Sequence, residues 1–240
     1  MWEPIGDLEQ IVRYPVKSMA GEPLDAATLG WHGVEGDRRF AFRRCAEGGG
    51  FPWLTAGRVR ELVQYRPLYR GENGVPTHVR TPDGRELELT GSELRDELAG
   101  RAGAEVELMR LRHGMFDDAP VSLIATTTVA EVERVAGRPV DIRRFRPNFV
   151  IRSRDPRPFV EDGWVGKVVR IGEAEDAPRV AVTMRDLRCL MINFDPDTAE
   201  NDPDVMKTVV RLNANHAGVY GTVIRSGAVA VGATLYASVE

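Results

Sequence analysis

Cysteine is scarce. Cys45 and Cys189 are the only two in 240 residues, too few for the bridges that frame a small secreted domain, so a reducing compartment is the default. Two cysteines also cannot supply the four thiolates of an iron–sulfur cluster. The four histidines, His32, His78, His113 and His216, show no zinc-ligand spacing among themselves or with either cysteine, which argues against a zinc site. Long apolar runs are missing too. None approaches the roughly 20 residues of a spanning helix, and the opening MWEPIGDLEQ has neither the basic start nor the apolar stretch of a signal peptide. A cytoplasmic protein with no membrane contact is expected. There is no strong excess of either charge: 32 Lys and Arg against 36 Asp and Glu give a net charge of -4. That balance excludes a general nucleic-acid binder and makes any anion site a local one.

What is present points to a mostly β fold of the α+β kind. Short runs rich in β-branched and aromatic residues, punctuated by glycine and proline, predict strands over 9–16, 25–29, 38–44, 77–81, 86–90, 105–111, 121–125, 141–152, 164–171 and 179–194, with two more between 220 and 239. That is a barrel-like number. The pair 77–81 and 86–90 reads as a hairpin around Pro82, Asp83 and Gly84, and residues 47–50 as another hairpin loop. Three short helices have start signals: Ser92 before ELRDELAG, Thr128 with Glu131 as a capping box, and Asp202 with Pro203. Gly137 would stop the second. The polar stretch 113–119 is the one plausible boundary, dividing the chain into 1–112 and 113–240.

From Arg134 to Arg170 there are ten Lys or Arg against four Asp or Glu, a local excess of six that would suit an anion or simply face water. Motifs bear on that choice. YPVKS (14–18), GDRRFAF (36–42), RFRPNFVI (144–151) and LRCLMINFDPDT (187–198), followed by GVYGTVIRSGAVAVGATL, occur in that order. Together they resemble the MOSC family, the domain at the C-terminus of molybdenum cofactor sulfurases. The closer likeness is to its variant with an N-terminal β-barrel region, as in the mitochondrial amidoxime-reducing component and its bacterial relatives. The resemblance implies a MOSC-type β-barrel with a few short helices and an N-terminal β-barrel-like subdomain. It also implies the molybdenum cofactor, a molybdopterin whose metal takes one protein thiolate. By motif position that ligand is Cys189, at once metal-binding and catalytic, and a thiolate suits a metal already in a sulfur environment. By residue type alone, Cys189 beside Leu187, Leu190 and Met191 reads instead as a small hydrophobe on a buried strand.

The same positions supply the cofactor-binding set. Lys17 and Ser18 would meet phosphate and pterin oxygens, and Arg38, after the Gly36-Asp37 turn, would add a fixed fork of donors; an exposed lysine and a surface arginine are the plain alternatives. The spacing of Arg146 and Asn148 puts both on one strand face, with Phe145 and Phe149 opposite. Thr126 and Thr127 stand at a predicted helix start, either an anion site or ordinary turn residues. Tyr220 matches a family tyrosine near the cofactor or is a core aromatic. Pyridoxal phosphate attaches to the family through the sulfurases, whose pyridoxal-phosphate domain is not expected here. The expectation is a molybdenum-dependent reductase of small N-oxygenated substrates, fed by a separate flavodoxin-like or ferredoxin-like electron donor docking on Arg152, Arg154 and Arg157. The alternative is a cofactor or sulfur carrier using Cys189 as persulfide or transfer ligand.

Overall fold

The computed structural model describes residues 1–45, 51–71 and 74–239; the predicted loop at 47–50 lies outside them. In chain order the strands are β1 (Trp2–Arg13), β2 (Glu22–Leu24), β3 (Ala26–Gly30), β4 (Gly33–Val34), β5 (Phe40–Arg44), β6 (Arg66–Leu68), β7 (His78–Arg80), β8 (Glu86–Glu88) and β9 (Val106–Arg110). They continue as β10 (Val121–Ala125), β11 (Phe149–Ser153), β12 (Val168–Ile171), β13 (Arg179–Leu187), β14 (His216–Arg225), β15 (Gly227–Ala230) and β16 (Thr234–Ser238). The helices are α1 (Ser92–Ala102), α2 (Thr126–Ala136) and α3 (Pro203–Asn213).

Seven strands close a barrel in the order β11-β10-β14-β13-β12-β16-β1, because β1 pairs with β16 on one side and with β11 on the other. Leu8, Ile11, Leu123, Phe149, Val169, Val219 and Leu235 fill it, all essentially without solvent contact, as expected where inward side chains of a small barrel make its core. The first strand in sequence is thus a stave of the main barrel. The rest of the N-terminal region carries a β5–β9 ladder and a three-stranded β6-β7-β8 sheet around its own core of Leu62, Tyr65, Leu94 and Leu98. No helix among the described residues is long and apolar enough to cross a membrane.

Several predicted boundaries move, each for a visible reason. The strand expected over 141–152 is a 3-10 turn, Ile142–Phe145, followed by β11 from Phe149. Pro147 has no N–H to give a ladder, and Arg146 before it takes a left-handed φ of 50°, so Arg146 and Asn148 do not share a strand face. The strand expected over 179–194 stops at Leu187. Its last partner is His216, where β14 begins, and Ala214 and Asn215 just before it are left-handed. Cys189 therefore lies beyond the strand, in extended conformation at the start of a 3-10 turn, Leu190–Asn193. Trp164 likewise closes a 3-10 turn, and β12 starts only at Val168. β1 begins earlier than predicted because its Pro4–Gly6 stretch is absorbed as a bulge.

Helix starts are corrected twice. Gly91 rather than Ser92 is the residue before α1, and Ala125 rather than Thr128 precedes α2. Thr128 is fully buried inside α2, its hydroxyl donating to Glu161 at 2.8 Å, while Glu131 pairs with Arg134 instead of closing a capping box. Asp202 does cap α3, accepting from the Asp204 N–H, with Pro203 at the first helical position. Gly137 ends α2 in the left-handed conformation.

Candidate functional site

One cavity of about 350 Å³ gathers most of the expected residues: Lys17, Ser18, Arg38, Arg146, Cys189 and Tyr220 all line it. They come from five separate stretches of chain. After β1, residues 14–18 turn across the barrel edge, pinned by the Lys17 N–H donating to Phe40 O at 2.8 Å. Ser18, Arg38 and Arg146 each hold a positive φ, of 66°, 46° and 50°, in a region that costs a non-glycine residue about 1 kcal/mol or more. Three such residues on one wall mark a place where side-chain direction outweighs backbone comfort.

The cationic wall is locked from behind. Arg38, 4% exposed, donates from Nη1 to Asp37 Oδ2 at 2.5 Å, from Nη2 to Arg146 O at 3.0 Å and from Nη1 to Asn148 Oδ1 at 3.3 Å. Asp37 also accepts from the Tyr14 N–H at 2.6 Å. The Tyr14 ring lies under both guanidiniums, 4.9 Å from the Arg38 Cζ and 4.2 Å from that of Arg146. Burial pushes the Tyr14 phenol up to about 12 and pulls the Arg146 guanidinium below its ordinary range. Arg146 donates from Nη1 to Met19 O at 2.6 Å, and Lys17 Nζ donates to Phe116 O at 2.7 Å. Burial lowers the Lys17 ammonium, partly offset by Asp117.

Cys189 is exposed, against the reading of a buried strand hydrophobe. Its neighbour Arg188 is buried and donates to Asp186 and to Phe145 O. Burial lowers the Arg188 guanidinium, but Asp186 more than offsets this and holds it above its ordinary range. Arg185 turns elsewhere, to Asp162 and Asn213. Tyr220 is half-buried, and burial first, then Asp186 and Asp117, hold its phenol protonated, leaving it able to donate.

Three expected residues are not on the cavity. Asn148 is fully buried behind it, accepting from the Ser122 N–H at 3.1 Å and donating to Val12 O at 3.2 Å; it joins β1, β10 and the Arg38 fork. Thr126 and Thr127 sit on α2, whose first turn packs on Glu161: that carboxyl accepts from the Thr128 hydroxyl, and burial raises it to about 7. Sequence reasoning also passed over residues that are there. Arg144 donates to Asn193 O and Asp195, and Asp117 pairs with Arg38. Arg144 stands inside the quoted RFRPN motif, but the motif alone gave no reason to prefer it.

The lining holds five cations, Lys17, Arg38, Arg144, Arg146 and Arg188, against Asp117, Asp118 and Asp186, an excess of two positive charges. Arg144 Nε, Arg146 Nη2 and Arg188 Nε are buried without a protein partner, an arrangement that a polyoxygenated anion would relieve. The wider basic segment is no single patch: Arg134, Arg138 and Arg157 are paired with Glu131, Asp202 and Asp155, and Arg170 lies between the rings of Trp2 and Tyr236. Arg154, Arg157 and Lys167 border a different hollow. Arg152 pairs with Asp7.

A closed barrel and a second small β region define a mostly β protein, with an exposed thiol beside a cationic cavity. Residues 110–236 match the MOSC domain and residues 5–119 the MOSC N-terminal beta barrel domain. The chain belongs to the MOSC family. Among solved structures it is similar to the YuaD protein from Bacillus subtilis, at 14% identity and a TM-score of 0.54 with both chains covered in full. It is also similar to YiiM from Escherichia coli, at 12% identity and a TM-score of 0.42, over the whole of this chain and 71% of that one. No curated protein matches.

Proposed function

We propose that the chain is a molybdenum-cofactor-dependent oxidoreductase that reduces N-hydroxylated or other N-oxygenated substrates with electrons from a separate donor protein. The observation that carries this reading is the placement of an exposed thiol, Cys189, on the same 350 Å³ cavity as five cations with three orphaned buried N–H groups. Bound there, the cofactor would supply two-electron chemistry at its metal, with the Cys189 thiolate as protein ligand. Arg38, Arg146 and Lys17 bind and neutralise the phosphate. Arg188, next to Cys189 in the chain, is held by Asp186 and Phe145 O and fixes the backbone that presents the thiol. The protonated Tyr220 phenol is placed to donate a hydrogen bond, and Leu187, Leu190 and Phe51, all more than half exposed, give the rim an apolar face toward substrate or donor. Cys189→Ser should abolish reductase activity with a reduced artificial donor while leaving the fold intact; full activity in that variant would remove Cys189 from the metal.

A second reading rests on the same exposure. A thiol at the head of a short turn, between two exposed leucines, is also accessible to a partner protein, as a sulfur or cofactor carrier requires. The readings part on whether metal stays bound and turns over, so reductase turnover without metal loss supports the first, and stoichiometric transfer to an acceptor supports the second.

A further inference from the structure

The segment that links the two matched domains crosses this cavity and brings its own anion. Both family matches include residues 110–119. From 111 to 120 the chain forms no helix or strand. It is tied down at few points: Arg39 Nη1 donates to Arg112 O at 2.7 Å, the Phe116 N–H to Arg38 O at 2.9 Å, and Lys17 Nζ to Phe116 O at 2.7 Å. The Phe116 ring rests edge-on against Trp53, 4.6 Å between centroids. From this strap Asp117 reaches Arg38 Nε at 2.5 Å and lies 3.8 Å from Lys17 Nζ. Those are two of the three cations that would hold a phosphate. The Asp117 carboxylate is itself kept below its ordinary range by Arg38 and Lys17, against the burial that would raise it.

We propose that Asp117 is a resident counter-anion, so that anion binding at this cavity is an exchange in which the carboxylate leaves Arg38 and Lys17 and a phosphate takes its place. No bond is made or broken; one ion pair replaces another. The proposal rests on the reading of the cavity as a phosphate seat, but not on which metal or pterin the phosphate carries. The exchange also sets selectivity. A singly charged ligand gains only what the Asp117 carboxylate already provides, whereas a doubly charged phosphate gains more, because displacing Asp117 leaves five cations in the lining against Asp118 and Asp186. Asp117 ties the strap to Arg38 and Lys17, so its release loosens the strap as the cavity fills. The affinity of such a seat is reduced by the fraction of molecules in which it is open.

The test titrates inorganic phosphate into the cofactor-free full chain by calorimetry, for the wild type, Asp117→Asn and Asp176→Asn. If the seat is open in about a tenth of molecules, Asp117→Asn binds phosphate about ten-fold tighter. Asp176→Asn, exposed and off the cavity, stays within about two-fold of wild type. Weaker or unchanged binding in Asp117→Asn overturns the exchange and makes Asp117 an orienting residue for Arg38. Absence of phosphate binding in all three proteins overturns the phosphate seat and the exchange together. Hydrogen exchange on the wild type gives a readout independent of the variant: saturating phosphate should speed exchange of the Phe116 amide, and an unchanged or slower rate contradicts the loosening.

Discussion

At the scale of single residues, the cavity wall separates groups that face the open cavity from groups that hold those groups in place. Lys17 and Arg146 belong to the first kind. Each charge-assisted hydrogen bond is worth roughly 1.5 to 3 kcal/mol, so Lys17→Ala or Arg146→Ala should lower pterin content about ten-fold under limiting supply, measured by release and fluorescence. Arg154→Ala, exposed on another face, should not. Asn148 is of the second kind. Asn148→Ala strips partners from Ser122, Arg38 and Val12 in the dry interior and should cost about 2 kcal/mol or more, a fall in Tm of roughly 5 °C for a chain of this size. A variant that kept its Tm and lost only cofactor would move Asn148 to the ligand side. The motifs made Lys17, Arg38, Arg146 and Cys189 legible. They did not show that Asn148 is consumed internally, because one amide serves a heterocycle edge and a barrel seam equally well.

At the scale of elements, α2 shows why a helix start is not by itself an anion site. Its first turn holds the Glu161 carboxyl through the Thr128 hydroxyl, and burial pushes that carboxyl up to about 7. Unfolded, the group titrates near its ordinary 4.5. Between those values the folded chain holds more protons than the unfolded one, so this group makes stability fall as pH rises from about 4.5 to about 7, by up to about 1.4 kcal/mol per unit. Thermal melts across that window should show a shallower decline for Glu161→Gln than for wild type, and parallel curves would contradict the assignment. The strand sequences themselves read well wherever both ends lie inside a ladder, as for 121–125. They misled where a run of strand-forming residues continued past its partner, as at 188–194, since partner length is set by the distant residues Ala214 and Asn215. The pattern-breaking Pro4 and Gly6 hid the start of β1 because a bulge tolerates what periodicity forbids.

At the scale of the whole molecule, the domain division in sequence is not a division in space. β1 lies between β16 and β11, so a fragment of residues 113–240 lacks one stave and presents two unpaired edges. It should show no cooperative unfolding transition, whereas residues 1–240 should show one; a sharp transition in the fragment would mean that the remaining six staves close without β1. The electron route is also a whole-molecule matter. The purified chain alone should not oxidise a nicotinamide cofactor in the presence of an N-hydroxylated substrate, but should turn over with reduced viologen. We propose that a protein donor docks at the Leu187 and Leu190 rim, which lines the Cys189 cavity as Arg152, Arg154 and Arg157 do not. Leu190→Asp should therefore slow the donor-driven rate more than the viologen rate, and equal effects on both would place the donor elsewhere. The central claim, that Cys189 and the cationic wall hold a molybdenum cofactor, is met most directly by the molybdenum-to-protein ratio of chain purified from a cofactor-competent host. The account predicts near-stoichiometric metal in the wild type and its loss in Cys189→Ser; wild-type protein free of molybdenum, or a Cys189→Ser variant that keeps its full content, would contradict it.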